Sequence, residues 1–88
     1  MTARIEIYTK PECKGCEKVK EMIAGTDLET ITTYKTIKGK EGKPNLDFIK
    51  NHGFDNIPVI HIFNKREERF LVGYHPYDQI IEKLNEVL

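Results

Sequence analysis

Two cysteines, Cys13 and Cys16, are the residues of this sequence whose type and spacing most clearly indicate chemistry. They are the only cysteines in the chain, and two residues separate them in a C-x-x-C pattern. Two thiols at this spacing act as a redox dithiol, supply half of a zinc site, form a structural disulfide, or remain inert. The choice among these uses depends on the local structure that holds the pair.

The stretch from Tyr8 to Cys16 is predicted to run from the end of a strand, through a turn at Pro11, into a helix that opens at or near Cys13. Unpaired N–H groups and the positive end of the helix dipole favour an anion at that position. A thiolate there is expected to have its pKa lowered from about 8.5 to about 3.5–7.5. Because three residues nearly complete a helical turn, Cys16 returns to the side of Cys13. One sulfur can then attack a disulfide while the other resolves the product.

The other uses of the pair find less support in the sequence. A structural zinc site needs four ligands, and the remaining candidates, His52, His61 and His75, form no second paired motif. A structural disulfide over so short a loop constrains the unfolded chain little, and nothing marks the chain as secreted. Two inert thiols leave the strand–turn–helix context unexplained. The redox interpretation is preferred, and a metal-binding module is the alternative from a different class.

Length and composition predict one soluble globular domain over residues 1–88. Hydrophobic residues make up 39% of the chain and charged residues 32%, and its 14 lysines and arginines balance 14 aspartates and glutamates. Without a basic excess, neither nucleic acid nor an acidic membrane surface is an expected partner. We expect no signal peptide and no membrane-spanning segment, since no apolar run is long enough. A free dithiol then indicates a cytoplasmic protein, and we expect a monomer.

Hydrophobic periodicity and turn residues predict four strands and three helices in the order β-α-β-α-β-β-α. The predicted bounds are a strand over 3–8, a helix over 13–24, a strand over 30–37, a helix over 45–52, strands over 58–63 and 69–72, and a helix over 76–88. The charged, glycine-rich stretch 39–43 is predicted to be a mobile loop. Gly25 and Gly53 are predicted to cap the first two helices, and Pro44 fits the first turn of the second.

The order of elements restricts the topology. A right-handed β-α-β crossover makes the first two strands parallel, and the polar link 64–68 makes the last two an antiparallel hairpin. Helices must cover both faces of such a four-stranded mixed sheet. The expected fold class is therefore α/β.

With a dithiol at the end of its first strand, this arrangement resembles the thioredoxin fold in its compact glutaredoxin form, over nearly the whole chain. Lys10 stands three residues before Cys13, as a lysine does in many glutaredoxins, and Asn56-Ile57-Pro58 stands where that family has Thr-Val-Pro. The resemblance implies a cis bond before Pro58 and a substrate-binding role for Lys10. Since proline offers no N–H, the main chain of Ile57 is expected to pair with an extended substrate segment.

The segment 72–76 differs from that of common glutaredoxins. Val72 replaces the first glycine of their Gly-Gly pair, and Pro76 replaces the aspartate that helps them hold glutathione. A single glycine, Gly73, followed by the aromatic Tyr74, is more similar to the NrdH-type redoxins, which donate electrons to ribonucleotide reductase and are reduced by thioredoxin reductase. Gly73 and Tyr74 are therefore candidate substrate-binding residues. Tyr74 either forms an apolar rim for a partner or closes one end of the core.

These residues predict a thiol–disulfide oxidoreductase of the glutaredoxin-like, NrdH-type kind, an electron-transfer enzyme that reduces protein disulfides without a bound cofactor. Cys13 is the expected exposed nucleophile and Cys16 the resolving thiol. Lys10 and Lys14 favour the thiolate through their charge. The expected electron source is NADPH through thioredoxin reductase, and ribonucleotide reductase is a candidate partner. The alternative in the same class is a glutathione-dependent glutaredoxin.

Overall fold

The computed structural model describes residues 3–88, which contain four strands, three α-helices and one short 3₁₀ helix. In chain order these are β1 (Arg4–Thr9), α1 (Lys14–Ile23), the 3₁₀ helix (Asp27–Ile31), β2 (Thr32–Thr36), α2 (Lys43–Asn51), β3 (Val59–Phe63), β4 (Glu68–Val72) and α3 (Tyr77–Val87). The predicted order of strands and α-helices and the α/β fold class are confirmed. Within residues 3–88, no helix has the length and apolar character that crossing a membrane requires.

The strands form one mixed sheet in the order β2-β1-β3-β4. β1 is parallel to β2, as predicted, and β3 is antiparallel to both β1 and β4. At one end of these strands Tyr8 lies opposite Val59, and at the other end Arg4 lies opposite Phe63. We call the first the dithiol end, because β1 leads from there to Cys13, and the second the hairpin end. The loop after β1 and the loop before β3 meet at the dithiol end.

Side chains alternate across the sheet and build one hydrophobic core on each face. The larger core packs α1 and α3 against the sheet, and Val19 and Ile80 from these helices are fully buried in it. The second core lies under α2 and includes Tyr8 and Ile49. Phe48 stacks on Tyr8 there, with 5.1 Å between ring centroids. Helices therefore cover both faces, as predicted.

The second strand is shorter than the predicted 30–37. Its first two predicted residues belong to the 3₁₀ helix, for which the sequence shows no local signal strong enough to outweigh its β-branched residues. Thr26 Oγ1 caps this helix by accepting a hydrogen bond from Leu28 N at 3.3 Å, and Leu28 is buried. β-branched composition indicates a strand on average, but one buried leucine and one capping threonine suffice to favour a turn of helix here.

The stretch 39–43 forms a hydrogen-bonded turn rather than an irregular loop. Gly42 N donates to Gly39 O at 3.2 Å, and Lys43 N donates to Lys40 O at 3.3 Å. α2 follows directly, so that it begins at Lys43, two residues before the predicted start at position 45. Pro44 lies in its first turn, as predicted. The predicted left-handed glycines are confirmed, with φ 79° at Gly25 and 76° at Gly53.

Asn64 organises the hairpin end. Its Oδ1 accepts hydrogen bonds from Arg66 N at 2.7 Å and Glu67 N at 2.8 Å, which closes the turn between β3 and β4. Its Nδ2 donates to Val87 O at the C-terminal end of α3. One side chain therefore joins the hairpin to the last helix.

We expect Asn64→Ala to lower the free energy of unfolding by about 1–3 kcal/mol, because it removes the partner of the part-buried Val87 O and the two hydrogen bonds that close the exposed turn. Urea denaturation of the oxidised protein measures the change. Asn51→Ala is the matched control, since Asn51 is exposed and its side chain makes no hydrogen bond within the described residues. Equal stability of the two variants would contradict the role given to Asn64.

Candidate redox site

Cys13 and Cys16 form a disulfide at the N-terminus of α1. Cys13 is the residue that caps the helix. Its Sγ accepts a hydrogen bond from Cys16 N at 3.2 Å, and its carbonyl oxygen accepts one from Glu17 N at 3.1 Å. The prediction that the helix opens at or near Cys13 is confirmed. An amide that points at this sulfur stabilises negative charge on it once the disulfide is reduced.

A strained turn connects β1 to this helix. Glu12 has φ 57°, in the left-handed region that costs an L residue about 1–2 kcal/mol. The next residue, Cys13, then adopts the extended conformation of an N-cap, with φ −118° and ψ 108°. Strained backbone of this kind concentrates at functional sites, where the surrounding structure holds it in place.

Both cysteines are buried in the disulfide form, with Cys13 7% exposed and Cys16 4% exposed. The prediction that Cys13 is exposed is therefore wrong for this form. The reason is the loop before β3, which covers the pair and places Ile57 O 3.9 Å from Cys13 Sγ. Cys16 lies one helical turn further on and belongs to the buried face of α1. Any partner must approach the pair across the surface beside Cys13.

The loop that covers the dithiol is fixed by Pro58. The Ile57–Pro58 peptide bond is cis, as the resemblance implies. Pro58 is buried, and its carbonyl oxygen accepts a hydrogen bond from Gly73 N at 2.7 Å. Gly73 has φ 87°, a conformation that glycine adopts without strain. The structure therefore brings Ile57, Pro58 and Gly73 together beside Cys13.

The main-chain groups of Ile57 are not equally available to a substrate. Its carbonyl oxygen faces Cys13 Sγ, whereas its N–H donates to Asn56 Oδ1 at 3.0 Å. The N–H that is expected to pair with an extended substrate is thus already satisfied by a neighbouring side chain. A substrate carbonyl must displace Asn56 before it can bind there.

Gly15, between the two cysteines, permits the close packing of α1 against this loop. A Cβ at Gly15 would lie 3.1 Å from Pro58 Cδ and 3.8 Å from Tyr74 Cβ. Even an added methyl group at position 15 must therefore displace the Pro58 ring, whereas its contact with Tyr74 would be an ordinary one. Glycine is unfavourable in the first turn of an isolated helix. Its presence at position 15 is therefore a sequence signal that another segment packs closely there.

Tyr74 is 47% exposed, so it forms part of the surface rather than closing the core. The ammonium of Lys18, from α1, lies 5.8 Å from the centre of its ring. His75, the next residue, donates from Nδ1 to Gly73 O at 3.1 Å and supports the turn. Tyr74 and Lys18 therefore form one side of the surface around the dithiol.

Lys10 lies on another side, in a pocket of about 310 Å³. The pocket is lined by residues of the turn before α1 and of the segment after β2, namely Lys10, Pro11, Glu12, Ile37 and Lys38. Lys38 is far from Lys10 in sequence, and no pattern in the sequence indicates that the two lie together. Parallel pairing of β1 and β2 brings their C-terminal ends together, and Ile37 N donates to Thr9 O at 3.0 Å. The lining has two lysines against one glutamate, with Pro11 and Ile37 as apolar contacts, and this composition suits a ligand that carries a carboxylate.

Tyr8 lies at the end of β1 that leads into the site, but its phenol is not suited to act as a general acid or base at neutral pH. Burial, with the charge of Glu6 as a further cause, raises the pKa of Tyr8 to about 12. The phenol donates a hydrogen bond to Glu6 Oε1 at 3.4 Å. Tyr8 therefore stays protonated at neutral pH and contributes to packing under α2.

Among residues 3–88, the structure brings together no group of three or more His, Cys, Asp or Glu side chains that could hold a metal ion. A closed structural zinc site needs four ligands.

No protein-family model matches the chain, and no curated protein sequence matches it. Solved structures do match. The C-terminal domain of Neisseria meningitidis DsbD in the reduced form has a TM-score of 0.75 at 10% identity, over 99% of this chain and 82% of that chain. Reduced Schistosoma mansoni thioredoxin pre-protein has a TM-score of 0.69 at 11% identity, over 99% and 80%. Chlamydomonas reinhardtii thioredoxin f2 has 0.66 at 16% identity, over 97% and 78%. The chain therefore has the thioredoxin-like fold.

Proposed function

We propose that this protein is a dithiol–disulfide oxidoreductase that reduces disulfides in other proteins. The observation that carries the proposal is the Cys13–Cys16 pair, which caps α1 and packs beneath the Ile57–Pro58 loop. The thioredoxin-like fold supports it, since the DsbD domain and the thioredoxins share this architecture. A buried structural disulfide would not require the helix N-terminus, the strained Glu12 and the covering loop together.

The reaction proceeds in two exchanges at sulfur. In the reduced protein, the Cys13 thiolate attacks one sulfur of the substrate disulfide, forms a mixed disulfide and expels the other sulfur as a thiolate, which takes up a proton. Cys16 then loses its proton and attacks Cys13 Sγ, which releases the second substrate thiol. Two electrons pass to the substrate, and the protein is left in the disulfide form that the structure describes. An external dithiol or two thiols must return those electrons.

The electron donor that we propose is NADPH through thioredoxin reductase. A glutathione site must neutralise two carboxylates and one ammonium. No carboxylate lies in the turn 73–76, and Asp78 is in the first turn of α3. An ammonium buried without a partner costs several kcal/mol, which is on the order of a hundredfold or more in affinity. This favours the NrdH-type assignment. With that assignment we propose ribonucleotide reductase as a candidate substrate, a reducing cytoplasm as the location and a monomer as the active form.

A glutathione-dependent glutaredoxin is the second candidate, because one observation favours it. The pocket beside Cys13 has Lys10 and Lys38 on its wall, and a tripeptide carboxylate fits that chemistry. The two candidates differ in the ammonium partner rather than in the carboxylate partner. Only a functional comparison of electron donors separates them.

We expect NADPH with thioredoxin reductase to support efficient reduction of insulin disulfides, and glutathione with glutathione reductase to support little. Both coupled assays follow NADPH oxidation at 340 nm with the same substrate and the same protein concentration. Thioredoxin and a common glutaredoxin are the controls that show each coupling system to be competent. Robust turnover with glutathione alone would replace the NrdH-type assignment by an ordinary glutaredoxin, and no turnover in either assay would contradict the oxidoreductase proposal.

Asn56→Ala is expected to lower KM for peptide disulfides by about two- to tenfold, the value of one net hydrogen bond. The reason is that Asn56 Oδ1 occupies the Ile57 N–H, which a substrate main chain needs. Steady-state kinetics on a peptide disulfide and on hydroxyethyl disulfide measure the effect, since the latter has no peptide carbonyl. A raised KM for the peptide would instead mean that the Asn56 side chain binds substrate itself.

A further inference from the structure

We propose that the surface around Cys13 receives a protein segment whose disulfide is flanked by acidic residues. The proposal names the substrate class of the site described above and so rests on the oxidoreductase function. It follows from how charge is distributed in a chain whose formal net charge is zero. It adds no chemical step to the two exchanges at sulfur.

Charge pairs concentrate away from the dithiol. Within the described residues, four of the five pairs lie at or toward the hairpin end, and they join Glu68 to His61, Arg69 to Glu67 and Glu86, and Lys83 to Glu86. The fifth joins Lys35 of β2 to Glu6 of β1, between neighbouring strands. Acidic and basic side chains at the hairpin end therefore compensate each other.

The dithiol end has lysines without such compensation. Four exposed lysines surround Cys13, and we call them the lysine rim: Lys10, Lys14, Lys18 and Lys38. Among residues 3–88, none of them forms an ion pair with a carboxylate. The segments 10–18 and 38–43 that carry them contain six lysines against three glutamates. Although the formal net charge of the whole chain is zero, the segments around the dithiol therefore have an excess of positive charge.

The contacts of the four rim lysines place them on more than one side of the dithiol. Lys10 and Lys38 line the pocket formed by the turn before Cys13. Lys14 is the first residue of α1, directly after Cys13. Lys18 lies over Tyr74, whose Cβ approaches the Gly15 position between the cysteines.

Carboxylates also lie near the site, and Glu17 stands in the first turn of α1 between Lys14 and Lys18. Glu12 is the one acidic residue that lines the pocket. Asp55 and Asp78 are exposed on the segments that carry Ile57 and α3. In the segments 10–18 and 38–43 the lysines still outnumber the glutamates by six to three, so the excess positive charge lies on the side of α1 and the pocket.

The extent of the rim favours a protein segment over a small thiol. A ligand held in the pocket meets Lys10 and Lys38 only, which leaves Lys14 and Lys18 without a partner. An extended segment with its disulfide at Cys13 passes from the pocket toward Tyr74 and meets all four lysines. Acidic residues on both sides of the substrate cysteine complement that arrangement, and long-range attraction raises the rate at which such a segment associates.

The test compares two synthetic peptides, each with one intramolecular disulfide, that differ only in whether glutamates or lysines flank the cysteines. Dithiothreitol serves as the reductant, so that the result does not depend on the physiological electron donor. Hydroxyethyl disulfide, which is uncharged, reports the basal activity and the integrity of each variant. Lys18→Glu removes part of the rim, and Lys65→Glu is the matched control, because Lys65 is exposed in the hairpin and makes no ion pair within the described residues.

We expect kcat/KM for the glutamate peptide to exceed that for the lysine peptide by about tenfold, the combined effect of several exposed charge pairs. Lys18→Glu should reduce this preference to about threefold, and Lys65→Glu should leave it unchanged. The preference should fall between about 0.01 M and about 1 M salt, since the Debye length shortens from about 30 Å to about 3 Å. Equal kcat/KM for the two peptides, with normal turnover of hydroxyethyl disulfide, would overturn the proposal. Loss of turnover with all three substrates in the native protein would instead overturn the oxidoreductase function.

Discussion

Cys13→Ser is expected to abolish disulfide reduction, whereas Cys16→Ser is expected to react once and remain trapped as a mixed disulfide. The first variant has no thiolate at the helix N-terminus, and a serine hydroxyl forms no disulfide bond. The second keeps the sulfur that accepts the Cys16 N–H and loses the group that resolves the intermediate. Insulin reduction measures the first effect. Non-reducing electrophoresis and intact-mass measurement detect the adduct of the second.

Alkylation of the native protein tests the same assignment of Cys13 as nucleophile and Cys16 as resolving thiol. Iodoacetamide treatment of the reduced native protein near pH 6, followed by peptide mapping, should modify Cys13 before Cys16, because a lowered thiol pKa is expected at the helix N-terminus. Reduced native protein is the reference for stability, since both variants lack the disulfide. If Cys16 reacts first and Cys13→Ser is the variant that traps substrate, the assignment of nucleophile and resolving thiol is reversed.

The sequence predicted most of the architecture because its signals are local. Alternation in β1, the apolar stripe of α3 and the glycines at 25 and 53 each depend on residues close together in the chain, and the structure confirms these elements. The missed 3₁₀ helix shows the limit of local composition. Thr30 and Ile31 are β-branched, yet they lie in a helical turn, because burial of Leu28 stabilises that conformation of the segment.

The parts of the site that were not predicted depend on contacts between distant segments. Lys38 reaches the pocket of Lys10 only because β2 is parallel to β1, and Asn56 matters only because its side chain satisfies the Ile57 N–H. Cys13 was expected to be exposed at the start of its helix, with Cys16 on the inner face, but the loop before β3 covers Cys13 in the disulfide form. Glu12 offers no signal for its left-handed backbone, because glutamate is not a residue that favours that region.

Glycines contribute to this site mainly through the space that they leave. Gly15 lets Pro58 approach α1, and Gly73 turns the chain after β4 so that its N–H reaches Pro58 O. A third glycine, Gly42, has an ordinary backbone conformation, with φ −85°, yet it tolerates a side chain least. Steric space rather than backbone freedom therefore decides the requirement for glycine at position 42.

Gly42→Ala is expected to have the largest effect on stability of the single substitutions considered, with a loss of about 3 kcal/mol or more. A Cβ at Gly42 would lie 2.5 Å from both N and O of Lys38 and would also overlap the Ile37 carbonyl carbon. Main-chain atoms cannot rotate away as a side chain does. The segment must move, although Ile37 N is held by Thr9 O at 3.0 Å. Because Ile37 and Lys38 line the pocket, the same movement should also alter its shape.

Gly39→Ala, three residues earlier in the same turn, separates this clash from the general cost of replacing glycine. Gly39 has φ 77°, but a Cβ there meets nothing within 4 Å, so we expect a loss of only about 1 kcal/mol. Urea unfolding of both oxidised variants gives the two free energies, and nuclear magnetic resonance shifts of the Lys10 and Lys38 amides report any change at the pocket. A Gly42→Ala protein that is as stable as Gly39→Ala, with those shifts unchanged, would show that the segment 37–38 yields to the added methyl group and that the close packing is not required.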